Sequence, residues 1–251
     1  MRILPIASSS AGNAYLVEQA GEALLVDCGV SRKRVCQAFA DAGFALDAIG
    51  DVLKGVLITH DHSDHVSGLK TFLAKYKVPV FANFMTAEVV AAQTGVDDAA
   101  FVCFENGQPF EVGSFEVRPF SIPHDAADPV GYLIRADEVY FHGTDIGTPL
   151  DSVGMKLAEA DVATLESNHD LVMLRQSARA ESLKQRISGP RGHLSNDDAA
   201  GLVARFASSR LKRLFLAHLS HECNAPHLAE RVMHDALQTI GRTDIGLSVI
   251  S

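Results

Sequence analysis

His60, His62, Asp64 and His65 fall within six residues, directly after the short apolar segment 56–59. Imidazole nitrogens and a carboxylate are metal ligands by type, and no packing role needs three imidazoles at this density. In an extended segment, side chains at i, i+2 and i+4 share a face. His60, His62 and Asp64 are therefore expected to point the same way off a strand end, with His65 following as the chain turns into a helix. Four more candidates close or follow predicted strands: Asp27 ends 23–27, His124 follows the strand ending at Ile122, Asp145 comes just after 139–142, and His218 follows 214–217. Singly, an acid or imidazole after a strand is more often a loop cap or a surface residue. Together with the 60–65 run, they make sense as one site.

The elements that would hold these residues are legible as apolar, β-branched runs at 2–7, 14–18, 23–27, 55–59, 115–122, 131–135, 139–142, 162–166, 213–217 and 246–250. Helical spacing of apolar residues marks 66–76, 196–206 and 226–240. Ser195 with Asp198 reads as a capping box, and Pro226 suits a first helical turn. Hairpin-like spacing in the first half argues against a doubly wound parallel sheet. The expectation is an α/β chain of two packed sheets sheathed by helices. With 251 residues, 47% of them hydrophobic, and no linker or low-complexity tract, the chain reads as one domain, 1–251. The first seven residues are too short an apolar run for a signal peptide, and no later stretch approaches the about 20 apolar residues of a membrane span. Cys28, Cys36, Cys103 and Cys223 lack zinc-finger spacing and are expected as free thiols of a cytoplasmic protein. A formal charge of -9 argues against a broad nucleic-acid surface but leaves room for a local one.

With these motifs in place, the chain resembles the metallo-β-lactamase superfamily over essentially its whole length. Asp27 matches the first motif, His60-x-His62-x-Asp64-His65 the second, His124 the third, Asp145 the fourth and His218 the fifth. The resemblance implies a four-layered αββα sandwich with the site at one edge between the sheets. It implies that His60, His62 and His124 hold one metal, that Asp64, His65 and His218 hold a second, and that Asp145 bridges them. Asp27 would accept hydrogen bonds that orient the ligands. A narrower likeness, to the bacterial YycJ/WalJ-like branch, rests on three stretches. These are His124-Asp-Ala-Ala-Asp-Pro-Val-Gly-Tyr132; Glu166-Ser-Asn-His-Asp170 with Leu183-Lys-Gln-Arg-Ile187 and Gly192-His-Leu-Ser-Asn196; and Leu216-Ala-His-Leu-Ser-His-Glu-Cys-Asn224. The chain departs from that pattern at Ser9, where Gly is usual, and at Cys223, where Asn is usual.

Two divalent ions about 3.5–4 Å apart can generate hydroxide near neutral pH and stabilise charge on attacking and leaving oxygens. Imidazole and carboxylate ligands suit zinc and also tolerate manganese or iron, while Cys28 and Cys223 are not expected to ligate. Asp64 and His193 are the candidate catalytic residues. His193 precedes the predicted helix 196–206, whose first N–H groups favour anions, and is expected to bind the scissile phosphate or protonate the leaving oxygen. His169, Asn196 and Asn224 are candidate substrate contacts, although a structural role for His169 is equally open. Arg175, Arg179, Lys184, Arg186 and Arg191 concentrate positive charge before His193, either as a solvated helical face or as a phosphate track. The branch resemblance implies a phosphodiesterase acting on DNA, an exonuclease that uses a metal-bridging hydroxide. The alternative is a small-molecule metallohydrolase of the same fold, acting on a cyclic phosphodiester, lactone, thioester or β-lactam. A redox or binding-only member is disfavoured by His62 and by the complete ligand set.

Overall fold

The computed structural model describes residues 1–250. The chain forms two compact units whose segments interleave: Met1–Pro119 with Ala126–Val130, and Phe120–Asp125 with Gly131 onward. Because the chain passes between them more than once, there is no linker for composition to betray. Among the described residues, no helix is long and apolar enough to cross a membrane.

In the first unit, β1 (Arg2–Ser9), β2 (Gly12–Gln19) and β3 (Glu22–Val26) make an antiparallel meander. Helices α1 (Arg32–Asp41) and α2 (Ile49–Val52) lead to β4 (Leu53–Leu57), which joins β3 in parallel. Next come α3 (Ser63–Val66), α4 (Leu69–Leu73), β5 (Val80–Asn83), α5 (Phe84–Thr94) and β6 (Phe101–Phe104). They complete a sheet of order β1-β2-β3-β4-β5-β6 whose last four strands run parallel. The sheet is thus mixed, where the sequence suggested hairpins. The reason lies in β5 and β6: at four residues each, they are too short to show a period. A hairpin, β7 (Phe110–Val112) and β8 (Phe115–Ser121), follows.

The core of this unit gathers Leu16, Leu25 and Val56 of the sheet with Val35 and Phe39 of α1, Leu69 and Phe72 of α4, and Val90 of α5. Val35 and Phe39, four apart, share one helix face, and burying each is worth about 1.5–3 kcal/mol. The predicted helix 66–76 is broken into α3 and α4 at Ser67 and Gly68. A Cβ on Gly68 would lie 1.8 Å from the Val30 carbonyl oxygen, and the Gly68 N–H donates to the Cys28 carbonyl at 2.8 Å. Docking onto the loop after β3 interrupts the helix.

In the second unit, β9 (Val130–Arg135) pairs antiparallel with β10 (Val139–Gly143). Then come α6 (Asp151–Leu157), β11 (Val162–Glu166), α7 (Leu171–Gln176), α8 (Glu181–Ile187), α9 (Asn196–Phe206), β12 (Arg213–Ala217), α10 (Pro226–Thr239) and β13 (Gly246–Val249). The second sheet has the order β13-β12-β11-β10-β9-β8-β7, with β10 to β13 parallel. Every residue of β10 and β11 is buried, the signature of strands covered on both faces. α9 contributes Ala199, Leu202 and Val203 to the core, and α10 contributes Ala229, Met233 and Leu237. The Ser195/Asp198 capping box forms as expected, and Pro226 opens α10.

Candidate metal-binding clusters

In the first unit the cluster grows from the C-terminal ends of the parallel neighbours β3 and β4. Asp27 follows β3 in a left-handed conformation, φ 59°, and its N–H donates to the Leu57 carbonyl at 2.8 Å. Its buried carboxylate accepts from the Thr59 N–H at 2.9 Å and from the Thr59 hydroxyl at 2.9 Å. The same carboxylate accepts from His65 Nδ1 at 2.7 Å. With its proton turned to Asp27, the Thr59 oxygen can accept from His60 Nδ1, 3.0 Å away. Both imidazoles are thereby held in the tautomer that carries its lone pair on Nε2. Asn13 Nδ2 reaches His65 Nε2 at 2.9 Å and Asp64 Oδ2 at 3.1 Å. The His60 ring lies 4.7 Å from that of His62 and 4.1 Å from that of His65.

Asp64 does not share a strand face with His60 and His62 as expected. The extended geometry ends at His62, which is the N-cap of α3, so Asp64 sits in the first helical turn and not on a strand face. A second glycine fixes this loop: a Cβ on Gly29 would lie 1.6 Å from the Asp64 carbonyl oxygen, and the Cys28 N–H donates to the His65 carbonyl at 2.8 Å. Burial, and then the Asp27 charge, push the Cys28 thiol up to about 12. It stays protonated and is a poor ligand.

In the second unit, Asp145, Glu166 and His218 stand at the C-terminal ends of the parallel strands β10, β11 and β12, where α/β sheets commonly bind ligands. Asp145 and His218 are left-handed, at φ 59° and 57°, a strain of about 1–3 kcal/mol each that clusters at functional sites. His124, following β8, donates from Nδ1 to the Gly192 carbonyl at 3.0 Å, with Nε2 3.8 Å from Asp145 Oδ1. The organising residue is Glu166, which no sequence argument assigned a role. Its Oε2 accepts from the Ile146 N–H at 2.7 Å and the Leu194 N–H at 3.0 Å. Its Oε1 accepts from His193 Nδ1 at 2.8 Å and His218 Nδ1 at 3.0 Å. Burial alone would raise this carboxyl, but the His193 charge and the two imidazole hydrogen bonds outweigh it and hold it down to about 2. For His193 burial works downward, and the Glu166 carboxylate overcomes it and raises the imidazole. The available signal was an acid closing an otherwise apolar strand.

One donor atom from each of Asp145, Glu166, His193 and His218 lies within 4.8 Å of the others. The residues fit divalent ions: with acceptors fixing Nδ1 of His65, His124 and His218, each Nε2 has the orientation and basicity of a metal ligand.

His193 adjoins the cluster with 22% of its side chain exposed and is positioned by Glu166, while the first turn of α9 is already capped by Ser195. His169 is buried, and burial lowers its imidazole. Asn196 and Asn224 are buried and pair their amides at 3.0 and 2.9 Å; Asn224 also donates to the Ser167 carbonyl at 2.9 Å. This brace ties the loops after β11 and β12 to the start of α9. His142 is buried within β10, 3.0 Å from the Tyr140 hydroxyl. Of the basic stretch, Arg179 pairs with Glu222 at 2.8 Å and Arg186 with Asp125 at 2.6 Å.

The chain matches the family described as the β-lactamase superfamily domain over residues 22–219. It is 33% identical to exodeoxyribonuclease WalJ of Streptococcus pneumoniae, covering 97% of this chain and 90% of that one. It is 34% identical to exodeoxyribonuclease YycJ of Bacillus anthracis, covering 94% and 89%. Among solved structures, zinc-bound PqqB from Methylobacterium extorquens aligns with a TM-score of 0.73 at 16% identity, covering 100% of this chain and 98% of that one. The metallo-β-lactamase fold protein YhfI from Bacillus subtilis aligns at 0.68 and 19% identity, covering 99% and 95%. These two likenesses establish the metallo-β-lactamase fold.

Proposed function

We propose, starting from the fact that the chain belongs to the metallo-β-lactamase superfamily as a YycJ/WalJ-like member, that it is a metal-dependent phosphodiesterase acting as a DNA exonuclease. The observation that carries the hydrolase reading is the commitment of Nδ1 on His65, His124 and His218 to fixed acceptors, which puts the lone pair of each ring on Nε2, the atom a divalent ion would take. The DNA substrate is supported by what the two relatives are named for. In this reading 1–251 work as one catalytic domain. Following the superfamily pattern, His60, His62 and His124 would hold one ion and Asp64, His65 and His218 a second, with Asp145 available to either. Zinc or manganese suits these donors, and iron is compatible. Bound divalent ions supply a Lewis acid and a nucleophile at neutral pH.

The chain's own residues do the rest. Asp27 and Glu166 keep the imidazoles oriented. His193, kept basic by Glu166, carries a proton on Nε2 that it gives to the departing 3′ or 5′ oxygen as the P–O bond breaks. Asn196 and Asn224 shape the substrate surface through the loops that they brace. The four cysteines are all unpaired with one another, which suits a reducing compartment, the cytoplasm.

The test is metal-reconstituted protein on end-labelled single-stranded and duplex DNA, with bound metal quantified alongside. Progressive trimming that disappears in Asp64→Ala, together with reduced metal content, is the expected result. Turnover of bis-p-nitrophenyl phosphate or a lactone without any DNA trimming would move the assignment to a small-molecule hydrolase.

A further inference from the structure

We propose that Arg191 is the residue that grips a phosphate of the nucleic-acid substrate beside the second-unit cluster, an inference that rests on the nuclease reading and names one contact within it. The fold sorts the five cations of the basic stretch. Arg179 is neutralised by Glu222 and Arg186 by Asp125. Lys184 donates to the Arg175 carbonyl at 2.8 Å and lies 4.0 Å from Glu181. Arg175 folds back onto the Leu171 carbonyl of its own helix at 3.1 Å. Arg191 is tied to the His124 loop through the main chain and not through an acid: its Nε donates to the carbonyl of His124 at 2.9 Å. Among the described residues no carboxylate comes within ion-pair distance of it. The nearest acid in sequence to His124, Asp125, is already taken by Arg186.

The backbone beneath Arg191 is rigid. Gly147 packs so closely that a Cβ there would lie 2.5 Å from Arg191 Cα. The Thr148 hydroxyl donates to the Pro190 carbonyl at 2.9 Å, and the His193 N–H donates to the Ile187 carbonyl at 2.8 Å. A guanidinium has five donors in a planar fork. With Nε committed, its two Nη groups remain for the paired oxygens of a phosphodiester, a charge-assisted contact whose geometry is set before substrate arrives. The residue is exposed, and it stands two positions from His193.

The experiment is binding of a phosphorothioate single-stranded oligonucleotide to the metal-loaded protein across a series of KCl concentrations, for wild type, Arg191→Ala and Arg191→Lys, with thermal melts of all three. Arg191→Ala is expected to weaken binding about tenfold and to reduce the salt slope by about one phosphate contact, while Arg191→Lys regains the slope and part of the affinity. An unchanged slope in Arg191→Ala overturns the inference, including the case where melting temperature and turnover fall because the His124 carbonyl has lost its donor. Wild type that trims DNA beside an unaffected Arg191→Ala removes Arg191 alone. Wild type that neither binds nor trims DNA removes both this contact and the nuclease reading.

Discussion

At the scale of single residues, two buried carboxylates do equivalent work in the two units. Asp27 fixes His65, and through Thr59 it fixes His60, while Glu166 fixes His193 and His218. Glu166→Gln keeps the shape but replaces one acceptor oxygen with an N–H₂ donor facing two imidazoles. Such partners of metal ligands typically contribute 10–100-fold to metal affinity or activity, so Glu166→Gln should lose roughly that much. Competition with a chromophoric chelator reads the affinity directly; an unaltered value would show that the imidazoles do not need Glu166 to stay oriented. The ligand types were legible because a metal site needs several donors on short loops, so part of it must be spelled locally. Glu166 was not, because an acid at a strand end has many ordinary explanations. Its four partners at Ile146, His193, Leu194 and His218 become neighbours only when β11 lies between β10 and β12.

At the scale of elements, positioning depends on close backbone contact and on caps. Gly29 lies so near the Asp64 carbonyl that a methyl has no room. Gly29→Ala should destabilise the protein by about 3 kcal/mol or more, measurable as a lowered urea midpoint, and should shift the His65 loop. A stable, active Gly29→Ala would show that this loop yields easily. Ser195 caps α9 through a full capping box; Ser195→Ala should cost about 1 kcal/mol, with Ser195→Asp recovering most of it. α9 was readable to the residue because its start signal is local. The 66–76 segment has the spacing of one helix, and its break comes from Val30 and Cys28, over thirty residues away.

At the scale of the whole molecule, metal at the candidate clusters is expected to couple to stability. Buried His60, His65, Asp145 and Glu166 carry a desolvation cost that a bound cation would offset. Chelation should therefore lower the melting temperature; metal at a hundredfold excess over its Kd is worth about 2.7 kcal/mol. A melt indifferent to chelator and to added zinc or manganese would argue against a tightly held ion. A separate pH effect belongs to Asp161, at the foot of β11. Its carboxylate accepts from the Val139 N–H at 2.9 Å and from Arg210 at 2.8 Å. Burial raises this carboxyl, but the Val139 N–H and Arg210 outweigh it and hold it below the ordinary aspartate value. Its folded pKa thus lies below the unfolded one, so its contribution is complete above the unfolded value and is lost as pH falls through the folded one. Asp161→Asn should cost about 1 kcal/mol at neutral pH and nothing in strong acid, a difference that urea titrations at both pH values would expose.

The chemistry on offer is written in the order of residues along the chain. The donors at 60–65, the acids and imidazoles after strands at 27, 124, 145 and 218, the capped helix 196–206 and the family they resemble are all matters of local order. What the tertiary structure alone decided is which long-range partners those residues have. Arg186 finds Asp125 across 61 positions, His193 finds Glu166 across 27, and Asn196 pairs with Asn224 across 28. The basic stretch, open in sequence to reading as a solvated face or a phosphate track, has Arg179 and Arg186 paired with acids, and Arg191 is left facing solvent with only its Nε committed. Hydrogen-bonding and charge partners are fixed by strand order and loop docking, and no local window of sequence contains either.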